Sequence, residues 1–331
     1  MKFLIIGLGS MGKRRIRCLK ALGDYDIFVY DNNLDRANEA VSKYKVKKIN
    51  NPYDFLSSEL IDAIIISTSP ESHFEYIKLG LNYKLPTFVE ASVCDGDKLE
   101  RLLSDKNYNA QLIAPSCTMK YFEFPKIIKK LLSKEIIGKI FYFEYRVGQY
   151  LPNWHPWEDV NDYYVSKRNT GGCKEIVPFE LTWINEIFGE PEIISSAKGC
   201  IGLKNIDIDD FYHFSLKYKS NILANITVEV LSKPNAVREL RIAGEKGQIF
   251  YNQDENIIKY ALSEEGWEII KINDQSKEMG YIYPEQPYID ELNDFIKSFK
   301  NKNFSLFPNT LKKDIDILKL LEKIDNSSTV I

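Results

Sequence analysis

Six residues near the start, Gly7-Leu8-Gly9-Ser10-Met11-Gly12, constrain this chain more than any other segment. They follow the apolar run Phe3-Leu4-Ile5-Ile6 and open a stretch over 11–22 that can carry a helix. In the order strand, Gly-x-Gly-x-x-Gly, helix, each glycine has its own physical task. The first permits a tight turn, the second lets a pyrophosphate approach the backbone, and the third lets helix pack close on strand. Phosphates then meet the N–H groups at the positive end of the helix. A second apolar run, Ile27-Phe28-Val29-Tyr30, ends in Asp31. A carboxylate there accepts hydrogen bonds from both ribose hydroxyls and repels a 2′-phosphate. The expected cofactor is therefore NAD rather than NADP, held by Gly7, Gly9, Ser10, Met11, Gly12, Asp31, Asn32 and Arg36. Arg36 and Lys43 are the two nearby cations that argue for NADP.

Strand–helix alternation continues beyond the glycines. The runs Ala63-Ile64-Ile65-Ile66, Thr87-Phe88-Val89 and Gln111-Leu112-Ile113-Ala114 alternate with helical patterns over 34–44, 70–81 and 97–103. Short continuous runs bounded by Gly, Asp, Pro or Ser are how strands covered on both faces of a parallel sheet read. The pattern predicts an α/β, doubly wound parallel sheet of the Rossmann type over 1–118. Ligands lie across the carboxyl ends of such strands. That places Ser67, Thr68 and Pro70 against the nicotinamide half of the cofactor. His73, one turn into the next helix, either touches the cofactor too or is satisfied by backbone.

The periodicity changes after residue 118. Phe124, Ile127, Ile128, Leu131 and Leu132 share one helical face. From Ile140 the period is two, with Phe141, Phe143, Tyr145 and Val147 on one side and Tyr142, Glu144 and Arg146 opposite. Similar alternation over 211–218, 222–231 and 237–243 predicts a C-terminal α+β domain, 119–331, with a large mixed or antiparallel open sheet. One face is expected to be covered and the other left for substrate or another subunit. Leu311, Ile315, Leu318, Leu321 and Ile324 form the stripe of a last helix, expected to pack back near the N-terminal domain. A length of 331 residues suits two such domains.

Composition excludes several classes. With 44% hydrophobic and 27% charged residues the chain is globular rather than disordered. Lys and Arg number 44 against 47 Asp and Glu, so a nucleic-acid or anionic-membrane partner has no electrostatic motive. No apolar run reaches the ~18–20 residues that span a bilayer. Met1 leads straight into a strand with no basic leader, and the five cysteines are scattered, so reduced thiols in a cytoplasmic protein are expected. Only three histidines, His73, His155 and His213, are present and none neighbours another, which predicts no metal site.

Taken together these segments resemble the Gfo/Idh/MocA oxidoreductase family over nearly the whole chain. The residues that carry the resemblance are Gly7–Gly12, Ser69-Pro70 with His73, Val89-Glu90, Cys117-Thr118-Met119-Lys120-Tyr121 and Ile137-Gly138-Lys139. Further on come Gly148-Gln149-Tyr150-Leu151-Pro152-Asn153-Trp154-His155-Pro156-Trp157 and Thr170-Gly171-Gly172. The resemblance implies a bound nicotinamide cofactor, a contribution of Glu90 to its site, a homodimer or homotetramer through the C-terminal sheet, and oxidation or reduction of a sugar or polyol carbon. The tryptophan-rich segment resembles members found among surface-polysaccharide and nucleotide-sugar enzymes.

The departures from the family pattern are as informative. Where members carry Glu-Lys-Pro this chain reads Glu90-Ala91-Ser92, so the lysine position is Ala91. The segment that is Asn-x-Arg-Phe-His in type reads Thr118-Met119-Lys120-Tyr121-Phe122. After the glycine pair, members carry an Asp and then an acid/base His, whereas here Glu180 falls nearest the histidine's place. A hydroxyl that loses hydride must also lose a proton, and lacking a positioned base forfeits roughly 10²–10⁴-fold in rate. The replacements expected are Glu180, in the apolar setting Val177-Pro178-Phe179, and Tyr163 with Lys167, in a segment that in similar proteins passes over the active site. Glu180 is otherwise an exposed helix glutamate or a partner of Lys174. Substrate contacts are expected from Lys120, facing a phosphate or carboxylate, and from His155, Trp157 and Tyr164 against a sugar face. Two further readings stay open. One is NAD held tightly and used transiently for net epimerisation, elimination or hydrolysis; the other is an NAD-binding partner protein that has lost catalysis.

Overall fold

Strand β1 (Lys2–Ile6) buries Phe3, Leu4, Ile5 and Ile6 completely or nearly so, which only a strand covered on both faces can do. The computed structural model describes every residue except Ser92, Cys94, Asn107, 109–112, Pro156, Trp157, Glu264, Glu265 and Asp274. The expected run through Gln111 and Leu112 thus lies partly outside the described residues. The first half continues as α1 (Ser10–Leu22), β2 (Asp26–Tyr30), α2 (Leu34–Tyr44), β3 (Lys47–Lys48) and α3 (Pro52–Ser58). After these come β4 (Ala63–Ile66), α4 (His73–Asn82), β5 (Thr87–Val89), α5 (Gly96–Glu100) and β6 (Ile113–Pro115). Asn33 and Asn51 cap α2 and α3 by accepting from the backbone N–H groups of the second and third helical residues. The six strands pair in parallel in the order β3-β2-β1-β4-β5-β6. The order reverses between β1 and β4, where a doubly wound sheet opens its ligand crevice.

The later part of the chain builds α6 (Glu123–Ser133), β7 (Ile140–Gly148), α7 (Cys173–Phe188), β8 (Pro191–Gly199), β9 (Phe211–Tyr218) and β10 (Leu223–Glu229). It goes on through β11 (Val237–Gly244), β12 (Gly247–Asn252), β13 (Ile257–Leu262), β14 (Glu268–Lys271), α8 (Gln286–Lys300), α9 (Leu311–Ser327) and β15 (Thr329–Val330). Nine strands form one mixed sheet in the order β14-β13-β12-β11-β7-β10-β9-β8-β15. The period-two residues Phe143, Tyr145 and Val147 of β7 face inward, while Phe141 at the strand's start is exposed. Phe124 of α6 lies stacked on Tyr251 of β12, with ring centroids 4.3 Å apart, and meets Trp183 of α7 edge-on.

Two compact units result, one of residues 1–118 with 283–319, the other of residues 119–282 with 320–331. Residues 283–319, expected within the second domain of 119–331, thus group with the first unit. The return of 283–319 to the first unit has a definite cause. Glu291 of α8 is fully buried and accepts from the Cys117 N–H (2.6 Å), Thr118 Oγ1 (2.7 Å) and Ser116 Oγ (3.0 Å) just beyond β6. Its Oε2 also receives Arg15 Nη2 from α1 at 2.8 Å. Leu311, Ile315 and Leu318 of α9 complete the apolar core of the same unit, as the helical stripe anticipates.

Removing a carboxylate from such a buried network leaves a guanidinium and a backbone N–H short of partners. Glu291→Ala is expected to lower the unfolding free energy by about 3–5 kcal/mol in urea titrations; an unchanged midpoint would contradict the role given to α8.

Candidate functional site

The glycine loop has the geometry that its three glycines require. Gly7 sits at φ +92°, and a Cβ on it would lie 2.5 Å from the Ser67 carbonyl oxygen. A Cβ on Gly12 would overlap the Gly7 carbonyl, so α1 packs on the loop only without a side chain there. Gly9 is different, since its missing Cβ faces open space. Helix α1 follows Gly9 at its N-cap, with no side-chain cap and no acidic residue in its first turn. An open approach over a glycine, in front of an uncapped and acid-free helix start, fits the pyrophosphate of a dinucleotide. Ser10 and Met11 lie in this first turn, both partly exposed.

Asp31 follows β2 and binds the loop directly. Its Oδ2 accepts from the Leu8 N–H at 2.6 Å and its Oδ1 from the Asn33 N–H at 2.7 Å. Each oxygen keeps a second lone pair for a ribose hydroxyl. Asn32 is exposed and accepts from the Tyr30 hydroxyl, and Arg36 is half-buried on α2.

On the neighbouring strand, β4 delivers Ser67, whose N–H donates to the Ile6 carbonyl at 2.7 Å. Pro70 is buried and starts a single 3₁₀ turn into α4. His73 is buried, and its Nε2 lies 3.0 Å from the Thr68 carbonyl, which can only accept. Burial pulls its pKa down to about 4, so at neutral pH the ring is uncharged and ties the Thr68–Ser69 turn to the helix. Of the two expectations for His73, the structure shows the backbone contact. Glu90, after β5, has both oxygens on Arg15 at 2.6 and 2.9 Å, and its Oε1 also accepts from Ser67 Oγ at 3.3 Å. Glu90 therefore shapes the floor of the crevice. Arg15 was not among the expected residues. Its signal was a charged residue on the same helical face as Gly12, Ile16 and Leu19, a position that demands a buried acid.

In the second unit the residues singled out for catalysis fare differently. Glu180 is buried, with an ion pair to Arg238 through Oε1, and its Oε2 accepts from Tyr145 (2.6 Å) and Trp183 Nε1 (2.9 Å). Arg238 in turn donates to the Tyr145 hydroxyl at 2.8 Å. Both oxygens, where a general base had been expected, bond residues of β7, α7 and β11 and pin α7 to the sheet. Lys174 is not its partner and pairs with Asp325 instead, at 2.6 Å. Lys120 is nearly buried and bonds Glu186 at 2.6 Å, where a substrate anion had been expected. Trp157 lies outside the described residues.

His155, Tyr163 and Tyr164 are brought together. The imidazole stacks on the Tyr163 ring at 4.7 Å and 19°, with Nδ1 3.3 Å from Glu158 Oε2, and Tyr163 meets Tyr164 edge-on at 6.0 Å. Burial, with Glu175 and Glu158 nearby, pushes the Tyr163 phenol well above its ordinary pKa, so it is a neutral phenol at pH 7. Lys167 is exposed, and its carbonyl closes a turn by accepting from Thr170 and Gly171 N–H groups. That turn seats the glycine pair. A Cβ on Gly171 would collide with the Val165 carbonyl, and Gly172 sits at φ +61° against Asp209. The first turn of α7 is thereby drawn against residues 164–165, and Glu175 Oε1 accepts from the Tyr164 hydroxyl at 2.8 Å. Glu175 escaped the sequence reading because spacing does not tell which of the two α7 glutamates finds an arginine.

Two contrasts test these assignments. Gly9→Ala is expected to leave the melting temperature near wild type while weakening NAD binding in calorimetry by at least about tenfold, ~1.4 kcal/mol, whereas Gly12→Ala should lower both. Glu180→Gln, which strands Arg238, is expected to cost about 3–5 kcal/mol of stability in denaturant titrations; a variant that lost turnover at full stability would restore Glu180 as a base.

Comparison with known proteins supports the same fold and family. Three solved structures align over 99% of this chain: an oxidoreductase from Agrobacterium radiobacter in complex with NAD+, L-tartaric acid and magnesium (TM-score 0.86, 13% identity, 96% of that chain), a myo-inositol 2-dehydrogenase from Lactobacillus plantarum (0.80, 19%, 97%) and the WlbA dehydrogenase from Bordetella pertussis with NADH and UDP-GlcNAcA (0.79, 15%, 96%). No curated protein sequence matches the chain. Two family models do: the oxidoreductase family with an NAD-binding Rossmann fold over residues 1–112, and the GFO/IDH/MocA C-terminal domain over residues 126–250. The chain thus belongs to the Gfo/Idh/MocA family of NAD-binding oxidoreductases.

Proposed function

We propose that this protein moves a hydride between NAD and a carbinol carbon of a sugar or nucleotide sugar. The observation that carries the cofactor half is the open face of Gly9 before an uncapped helix start, with Asp31 bonded to the same loop. When bound, NAD supplies the two-electron acceptor at its nicotinamide ring. The chain's own residues then have three tasks: Asp31 takes the ribose hydroxyls, the helix start takes the pyrophosphate, and Ser67, Thr68 and Pro70 orient the nicotinamide. The substrate half is supported by relatives of the same fold that were crystallised with UDP-GlcNAcA or that act on myo-inositol, and by the aromatic group His155, Tyr163 and Tyr164. Aromatic faces give pyranose C–H groups an apolar contact while their polar tips read hydroxyls. We also propose that copies pair through the open face of the nine-stranded sheet, where Tyr142 and Leu223 are exposed cross-strand neighbours.

A second reading, an NAD-binding partner protein without turnover, is favoured by one set of facts. Ala91 stands where a lysine is usual, and Glu180 and Lys120 are both committed to protein partners. Reduced-cofactor absorbance with UDP-sugars and myo-inositol separates the two. NADH formation with at least one of these, and tighter binding of NAD+ than NADP+, is the expected outcome. Tight NAD+ binding with no NADH from any compound would select the second reading, and no calorimetric heat with either NAD+ or NADH would refute both.

A further inference from the structure

We propose that Glu90 sets the redox preference of the cofactor site: its carboxylate, on the crevice floor beside Ser67, favours the oxidised nicotinamide dinucleotide over the reduced one. The inference rests on the placement of the nicotinamide against Ser67, Thr68 and Pro70 proposed above and deepens it. Every residue it uses belongs to the first compact unit. Its starting point is an elementary charge difference. The oxidised ring is a pyridinium with one positive charge and the reduced ring is uncharged, while pyrophosphate, riboses and adenine are the same in both. A fixed charge near the ring therefore acts on one form only.

Glu90 is the acid that local structure brings to this place. It directly follows β5, its N–H donates to the Ile66 carbonyl at 3.0 Å, and its Oε1 accepts from Ser67 Oγ at 3.3 Å. Backbone and side chain together thus tie it to the end of β4. Glu90 is 9% exposed, whereas Arg15, which meets both of its oxygens, is fully buried. The carboxylate is therefore the open side of the pair and the guanidinium the interior side. Arg15 is also shared: its Nη2 bonds Glu291 Oε2 at 2.8 Å, so one guanidinium serves two carboxylates. The next residue, Ala91, brings no cation to offset them.

The groups around the pair leave this polarity in place. His73, within reach of the Glu90 charge, is held neutral by burial, its pKa down at about 4. Tyr288, whose ring lies 4.0 Å from the Arg14 guanidinium and 5.4 Å from that of Arg15, is kept a neutral phenol by burial. Arg14 and Arg17 share Glu285 at the start of α8. Three arginines thus meet three glutamates, and what acts on the ring is their order, with a carboxylate next to Ser67 and the guanidinium behind it. In a crevice closed over by its ligand such a charge is weakly screened. Arg15 takes back part of the effect, which leaves an expected contribution of about tenfold in relative affinity, ~1.4 kcal/mol, or about 30 mV on a two-electron couple. Bound cofactor is then a stronger reductant than it is without this carboxylate, because the oxidised form is the one held.

The test is calorimetric titration of the full chain with NAD+ and with NADH, read as the ratio of their dissociation constants, with the melting temperature recorded for each variant. Glu90→Gln leaves Arg15 paired with Glu291 and is expected to weaken NAD+ binding about tenfold while NADH binding changes by less than about twofold. Glu90→Asp, which keeps the charge, should stay within about threefold of the wild-type ratio. Ala91→Lys adds a cation and leaves the Arg15 network whole, so it should move the ratio in the same direction as Glu90→Gln. A residue that only shaped the loop would weaken both forms alike. Equal losses for the two nucleotides, or an unchanged ratio, in Glu90→Gln overturn the proposal and leave the cofactor reading standing; where that variant does not fold, the same outcome in Ala91→Lys overturns it. Absence of heat with either nucleotide in wild type refutes the cofactor reading and this proposal with it.

Discussion

One buried arginine holds the cofactor half of this protein together. Arg15 of α1 is inaccessible to solvent and is met by Glu90 after β5 and Glu291 on α8, at 2.6 to 2.9 Å. Its guanidinium also lies over the Phe88 ring, 4.4 Å from the centroid. Taking three charges out of water costs several kcal/mol per ion, and the cost is recovered only when every proton and lone pair finds a partner. Here they largely do: Glu291 gathers Cys117, Thr118 and Ser116, and Glu90 gathers Ser67. Burial raises the Glu291 pKa and Arg15 works against that rise, so the carboxylate depends on its partner to remain charged. The geometry that follows is specific. Helix α1 is set relative to the ends of β4, β5 and β6, which are the edges of the crevice that a dinucleotide needs.

The second unit repeats the device with different partners. Glu180, Arg238, Tyr145 and Trp183 close a network that no ligand can enter without breaking it, and it fastens α7 to the sheet. A helix fastened in that way can carry another carboxylate, Glu175, in an incompletely satisfied setting within its first turn. The two glutamates are the same residue type on one helix. They differ in whether an arginine lies opposite, and this one difference separates a fully paired anchor from a carboxylate with one buried oxygen that has no hydrogen-bond partner among the described residues.

Short-range signals explain what was readable in advance. The glycine loop was legible because its constraints are local: Gly7 needs a positive φ, Gly12 needs contact with a carbonyl five residues back, and Asp31 directly follows a five-residue strand. Buried parallel strands were legible as continuous apolar runs, and β7, β9, β10 and β11 as alternations. Three things were not. The return of α8 to the first unit depends on Glu291 meeting Cys117, 174 residues away in sequence. The fates of Glu180 and Lys120 depend on Arg238 and Glu186, on elements whose pairing leaves no mark in the segment itself. The Tyr164–Glu175 contact depends on a tight turn across the glycine pair.

The amino-acid sequence alone therefore determined the order of strands and helices, the nucleotide loop with its aspartate, and the family, because periodicity, glycine sterics and motif spacing act over a few residues. Tertiary structure alone decided which carboxylates are fully paired and which keeps an oxygen unpaired among the described residues. A buried charge takes its role from the partner that packing places opposite it, and that partner is drawn from a distant part of the chain.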